Sequence, residues 1–130
     1  MPELDPPIRT LLLVLLPLLA TFIGQRLYLH LINPDADLFI AGYNVHHLYT
    51  GAVLAIPAAF VTAFVSHASW IRWCALVLLG SGSAMVLDQV IFLITTDGSN
   101  ASYLKPISLW GAIILEALAV ILLLVLCFAG

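Results

Sequence analysis

The stretch IRWCALVLLGSGSAMVLDQVIFLIT, residues 71–95, carries only two charged side chains, Arg72 and Asp88. A helix needs about 20 mainly apolar residues to cross the hydrocarbon core of a bilayer. Three other segments have similar length and composition, at residues 10–31, 45–66 and 104–128. The sequence therefore predicts an all-α membrane protein, a single domain of four transmembrane helices.

The composition of the whole chain supports this prediction. Of its 130 residues, 63% are hydrophobic and 8% are charged, and the mean hydropathy is +1.14. Soluble domains carry about 25% charged residues. Four Lys and Arg residues and a net charge of −3 argue against a nucleic-acid partner, so the lipid bilayer is the expected partner. Cys74 and Cys127 form no CxxC pair, which argues against a dithiol oxidoreductase.

Short polar separators between the four segments favour an up-down bundle, in which neighbouring helices are antiparallel. Both termini then lie on one side of the membrane, together with Arg9 and Arg72. The opposite side carries Asp35, Asp37 and Asp97. The positive-inside rule predicts an N-in/C-in orientation, and we expect the cytoplasmic (inner) membrane of a prokaryote.

Ionisable side chains inside apolar spans are costly, so each one suggests a function. Helical rise places several polar side chains in the outer half of the bundle. This set is Arg26, His30, His46, His47, Asp88 and Gln89. The sequence therefore predicts an outward-facing polar pocket that binds a small ligand or a metal ion.

His47 and Asp88 each end a stripe of small residues with a spacing of four. In the second span the stripe continues through Gly51, Ala55 and Ala59, and in the third it contains Gly80 and Ala84. Small residues allow transmembrane helices to approach closely. We expect the two stripes to pack on each other and bring His47 close to Asp88.

Three hypotheses describe such a pocket. His46, His47 and Asp88 could ligate a divalent metal such as zinc, with His30 or Asp97 as a further ligand. Alternatively, His47, Asp88 and Arg26 form a hydrogen-bond network that fixes the helix register. A lipid-modifying enzyme with His47 as general base is chemically sensible. The chain has no accompanying nucleophile motif, so the balance is against an enzyme.

Glu116 lies about 15–18 Å into the fourth span by helical rise, near the bilayer midplane. It is a candidate for proton-linked transport or for a neutral acid that bonds to another helix. Four helices enclose little pore, so a transporter would have to be a homo-oligomer. Tyr103 is expected among the aromatic residues of the membrane interface.

Three motifs carry a resemblance: HHLYTG at 46–51, GSGSAMVLDQVIFL at 80–93 and YLKPISLWGA at 103–112. Together they resemble a group of small uncharacterised bacterial and archaeal integral membrane proteins. That group has a His-His pair followed by an aromatic residue and a glycine, and then a Gly-rich span that ends in Leu-Asp-Glu. Gln89 stands where the pattern has glutamate. The resemblance therefore implies a polar site with one anionic ligand fewer, and it implies no activity.

Overall fold

The computed structural model describes residues 6–35, 38–65 and 69–129, with the backbone alone of Asn44. Asp37 and His67 lie outside these ranges. The elements, in chain order, are α1 (Pro6–Leu31), β1 (Phe39–Ile40), β2 (Tyr43–Asn44), α2 (His47–Phe64), α3 (Trp70–Thr95), α4 (Asn100–Tyr103) and α5 (Pro106–Ala129).

The protein is an all-α bundle of apolar helices, as the sequence predicts. Within the described ranges, four helices, α1, α2, α3 and α5, are long and apolar enough to cross a membrane. Large apolar side chains cover their outer surface, such as Phe60 at 63% exposed and Leu118 at 57% exposed. This surface suits lipid, since it would be unfavourable in water. The N-in/C-in orientation stays a prediction.

α3 is the central helix of the bundle. It packs against α1, α2 and α5, whereas α1 and α5 touch each other over a shorter surface. Half of its eight buried positions are glycine or alanine. The buried residues are Ala75, Leu76, Gly80, Gly82, Ala84, Asp88, Gln89 and Phe92. Small side chains on several faces of one helix allow three neighbours to approach it.

The predicted pairing of the two stripes is wrong. α2 approaches α3 through Gly51 and Gly82, and a Cβ atom built on either glycine would lie 2.6 Å from the carbonyl oxygen of the other. Gly80 instead faces the backbone of Val14 on α1. The stripe of Gly80 and Asp88 therefore faces α1, and α2 packs on a neighbouring face of α3.

Two arginines lie at one end of the bundle, which we call the arginine end. Arg9 stacks over the Trp73 ring at 5.2 Å. Arg72 donates hydrogen bonds to the carbonyl oxygens of Thr62 and Val65. It thereby satisfies carbonyl groups that the C-terminus of α2 leaves without a partner.

A two-stranded hairpin marks the opposite end, which we call the hairpin end. Phe39 pairs with Asn44 and Ile40 with Tyr43. The connecting residues Ala41 and Gly42 have φ values of 53° and 84°. Positive φ at both central residues is the requirement of a type I′ hairpin turn. The sequence analysis predicted no strand here, and Leu38 and Val45, which flank the hairpin, line the cavity described below.

Candidate functional site

A buried ion pair joins α1 to α3 near the hairpin end. Arg26 is 7% exposed and Asp88 is fully buried. Arg26 Nε donates to Asp88 Oδ1 at 2.5 Å. Two predicted site residues are thus in direct contact, as the hydrogen-bond-network hypothesis expected of Arg26 and Asp88, although Asp88 was expected to face α2 instead of α1.

Tyr103 is the second partner of Asp88. Its hydroxyl group donates to Asp88 Oδ2 at 2.5 Å, and its ring lies 4.0 Å from the Arg26 guanidinium carbon. Tyr103 is 6% exposed, so its expected place among the interfacial aromatic residues is wrong. Burial and the neighbouring Asp88 carboxylate raise the Tyr103 pKa well above its ordinary value. The phenol therefore remains a hydrogen-bond donor at neutral pH.

The remaining donors of Arg26 reach α4 and α5. Its Nη1 donates to the Tyr103 carbonyl oxygen at 3.2 Å. Its Nη2 donates to the Ser108 carbonyl oxygen at 3.3 Å and to Ser108 Oγ at 3.2 Å. We call Arg26, Asp88, Tyr103 and Ser108 the buried network. It links α1, α3, α4 and α5, and its charged groups are paired within the chain.

The sequence analysis missed Tyr103 and Ser108. One signal was available, because a buried carboxylate has two oxygens and needs more than one donor. Both missed residues precede or open the fourth span, at the same end as Asp88. The one-turn helix α4 turns Tyr103 inward, and its cap Ser99 accepts a hydrogen bond from the Ser102 N–H.

The two histidines lie at the beginning of α2. His47 is its first helical residue, is half-buried and interacts electrostatically with Asp88. His46 occupies the N-cap position and meets the edge of the Phe92 ring at a centroid distance of 6.4 Å. An electrostatic interaction between His47 and Asp88 is therefore present, although the paired stripes that were expected to bring the two side chains close together do not form.

A small cavity, here called the hairpin cavity, lies between these histidines and the hairpin, with a volume of about 30 Å³. Ten residues from both loops and helices line it: Leu29, Pro34, Leu38, Val45, His46, His47, Gln89, Phe92, Asn100 and Tyr103. A cavity of this volume holds about two water molecules or a polar group of similar size. His30 does not line it and lies exposed on α1.

Gln89 provides the strongest feature of the hairpin cavity. The residue is 3% exposed, and its Oε1 has no hydrogen-bond partner among the described residues. A buried acceptor without a donor costs about 1–3 kcal/mol. Gln89 therefore presents an acceptor for which the described part of the chain supplies no donor.

The metal set predicted from the sequence is only partly assembled. Within residues 6–35, 38–65 and 69–129, no three His, Cys, Asp or Glu side chains are grouped so that they could hold a metal ion. Both oxygens of Asp88 already accept hydrogen bonds. Asp97 accepts from the backbone and hydroxyl groups of Ser99, and hydrogen bonds from Ser102 and Ser99 lower its pKa to about 2. Zinc binding by His46, His47 and Asp88 stays a prediction.

Glu116 lies apart from the hairpin cavity. It follows the start of α5 by about 15 Å of helical rise and is 3% exposed. Neither of its carboxylate oxygens has a hydrogen-bond partner among the described residues. It interacts electrostatically with Asp88 and borders a separate apolar crevice of about 380 Å³.

Comparisons with family models, curated proteins and solved structures found no match to this chain.

Proposed function

We propose that this membrane protein binds a small polar ligand in the hairpin cavity. The observation that carries the proposal is the buried Oε1 of Gln89, which has no donor among the described residues and borders that cavity. A ligand with an N–H or O–H group would supply the missing hydrogen bond. The ligand is either a small solute or the headgroup of a lipid, since both carry such groups.

The buried network supports this proposal by fixing one wall of the cavity. Tyr103 lines the cavity, while its hydroxyl group bonds to Asp88 and its ring packs edge-on against Phe92 at 5.3 Å. A binding site needs side chains that are held in place by a supporting shell. Under the predicted orientation, the cavity would receive its ligand from the extracytoplasmic side of a prokaryotic inner membrane.

Native mass spectrometry of the purified protein tests the proposal. We expect a bound small molecule that is retained by the native chain and lost from Gln89→Leu. Gln25→Leu is the matched control, because Gln25 also has a buried amide without a partner among the described residues and does not line the cavity. A ligand that returns only when lipid is added back is a headgroup, whereas one that survives delipidation is a solute.

Elemental analysis of the same samples tests the metal hypothesis. If the native protein contains stoichiometric zinc and both His47→Ala and Asp88→Ala lose it, the ligand is a metal ion and not a polar molecule. A preparation with neither adduct nor metal, or an adduct that Gln89→Leu retains, would refute the proposed site.

Proton-linked transport by a homo-oligomer is a second candidate function. Glu116 favours it, since it is a buried carboxylate in the middle of a span and has no hydrogen-bond partner among the described residues. Such a group is a candidate proton carrier. Proteoliposomes with an imposed pH gradient test this function. Solute flux should depend on the gradient and should disappear in Glu116→Gln.

A further inference from the structure

A crevice between α1 and α5 opens on the apolar surface of the bundle. Its lining is apolar apart from Glu116: Leu19, Phe22, Ile23, Ile113, Ala117, Val120 and Ile121. Ile23 is 52% exposed and Ile121 is 57% exposed. These two residues belong to helices that are apolar enough to cross a membrane. Access to the crevice is therefore from the lipid side of α1 and α5.

Glu116 gives this crevice a chemical preference. Its carboxyl group is buried, and both of its oxygens are without a hydrogen-bond partner among the described residues. An unpaired carboxylate in an apolar environment is strongly unfavourable. Either a proton or a cation from outside the chain removes this cost.

Arg26 does not meet this need. Its Nε donates to Asp88, and its two Nη atoms donate to Tyr103 and Ser108. All of these partners lie nearer the hairpin end, since Ser108 precedes Glu116 by about 12 Å of helical rise on α5. A cation that pairs with Glu116 must therefore come from a source other than Arg26.

We propose that the crevice binds an amphiphilic organic cation from the bilayer. The ammonium group of the ligand pairs with the Glu116 carboxylate, and its hydrocarbon part fills the space beside Phe22 and Val120. A volume of about 380 Å³ is within the range of small-molecule sites, about 300–1,000 Å³. Apolar walls with one charged group that fixes orientation are the usual composition of such a site.

This inference names a substrate class for the proposed transport function. It rests on that function only for the physiological role of the site. Binding is measured without flux. Amine binding without flux would refute transport alone, whereas flux without amine binding would refute the crevice site.

The test compares tritiated decylamine with tritiated decanol, which share a hydrocarbon chain and differ in charge. Scintillation proximity on detergent-purified protein measures both affinities. Glu116→Gln preserves the side-chain size and removes the charge, so we expect decylamine binding to weaken by about tenfold or more. Decanol binding should change by less than about twofold, because its burial in the crevice is apolar.

Ala117→Leu is the second variant, because Ala117 lines the crevice, lies at its exposed edge and bears no charge. It should weaken the binding of both probes, with the helical content unchanged by circular dichroism. Equal affinity of native protein and Glu116→Gln for decylamine would overturn the proposal. If Glu116→Gln changes the affinities for decylamine and decanol by the same factor, the crevice binds acyl chains only. If Ala117→Leu leaves the affinity for decylamine unchanged, the amine binds elsewhere. Either result also overturns it.

Discussion

Removal of Arg26 should strongly destabilise the fold. In Arg26→Met, Asp88 loses its ion-pair partner while it remains fully buried. Breaking a buried pair by removal of one partner costs about 3–5 kcal/mol. Asp88→Leu leaves the Arg26 guanidinium with an unpaired Nε, and we expect a loss of about the same size. Each single variant should therefore lose much of the free energy of unfolding of a small protein, about 5–15 kcal/mol.

The double variant distinguishes ion-pair energetics from simple loss of packing. Arg26→Met with Asp88→Leu removes both charges, so neither is left uncompensated. Replacement of a buried pair by apolar residues is often close to neutral. Because Arg26 also donates to Tyr103 and Ser108, some loss remains. We expect the double variant to lose about 2–4 kcal/mol, well below the sum of about 6–10 kcal/mol from the single variants.

Reversible unfolding in mixed micelles, followed by circular dichroism as the fraction of sodium dodecyl sulfate rises, measures these differences. Lys105→Met is the control, since Lys105 is an exposed cation at the same end of the bundle. Its effect should stay within about 0.5 kcal/mol. The reasoning fails if Arg26→Met resembles this control, or if the losses of the two single variants simply add.

Two further predictions concern packing and alkaline pH. Gly82→Ala should destabilise the fold by about 1–3 kcal/mol, because its Cβ would lie 2.6 Å from the Gly51 carbonyl oxygen. Gly24→Ala, whose Cβ would meet no atom of the described residues within 4 Å, should stabilise α1 by about 0.5–1 kcal/mol. Equal effects of the two substitutions in the same unfolding assay would contradict the close approach. The raised Tyr103 pKa means that the folded state holds the phenolic proton more tightly than the unfolded chain does. The stability that this group contributes is therefore present below the unfolded pKa of about 10 and is lost as the pH rises above it. Ultraviolet titration of tyrosinate should show a most alkaline step that Tyr103→Phe removes, and retention of that step in the variant would contradict this assignment.

Hydrophobicity is the reason why the helices were predictable. A span must satisfy its backbone groups internally and must be apolar over its whole length. The four predicted segments therefore agree with α1, α2, α3 and α5, although α1 begins at Pro6 instead of residue 10 and α2 ends at Phe64 instead of residue 66. The polar residues were also placed at the correct end, because depth follows from helical rise.

The choice of neighbouring helix was not predictable from the same pattern. α3 carries small residues on more than one face, so Gly80 and Gly82 offer close contact in two directions. A spacing of four identifies a face, but it does not identify the helix that packs there. The long side chain of Arg26 pairs with Asp88. This ion pair joins α1 to the stripe of Gly80 and Asp88, which the sequence analysis expected to pack against α2. Tyr103 was misplaced for a related reason, since the single turn of α4 has no apolar periodicity.

The structure also changes which polar residues are candidates for function. By sequence alone, every ionisable side chain in a span has the same standing, and Arg26 and Asp88 are the most prominent. Arg26 and Asp88 form hydrogen bonds with each other and with Ser108 and Tyr103. A role in the stability of the fold therefore accounts for their burial. Gln89 and Glu116 are as deeply buried, yet each presents oxygen atoms for which the described residues supply no donor. A buried polar group is expected to have a partner, and here that expectation favours a bound ligand at these two residues over one at the buried ion pair.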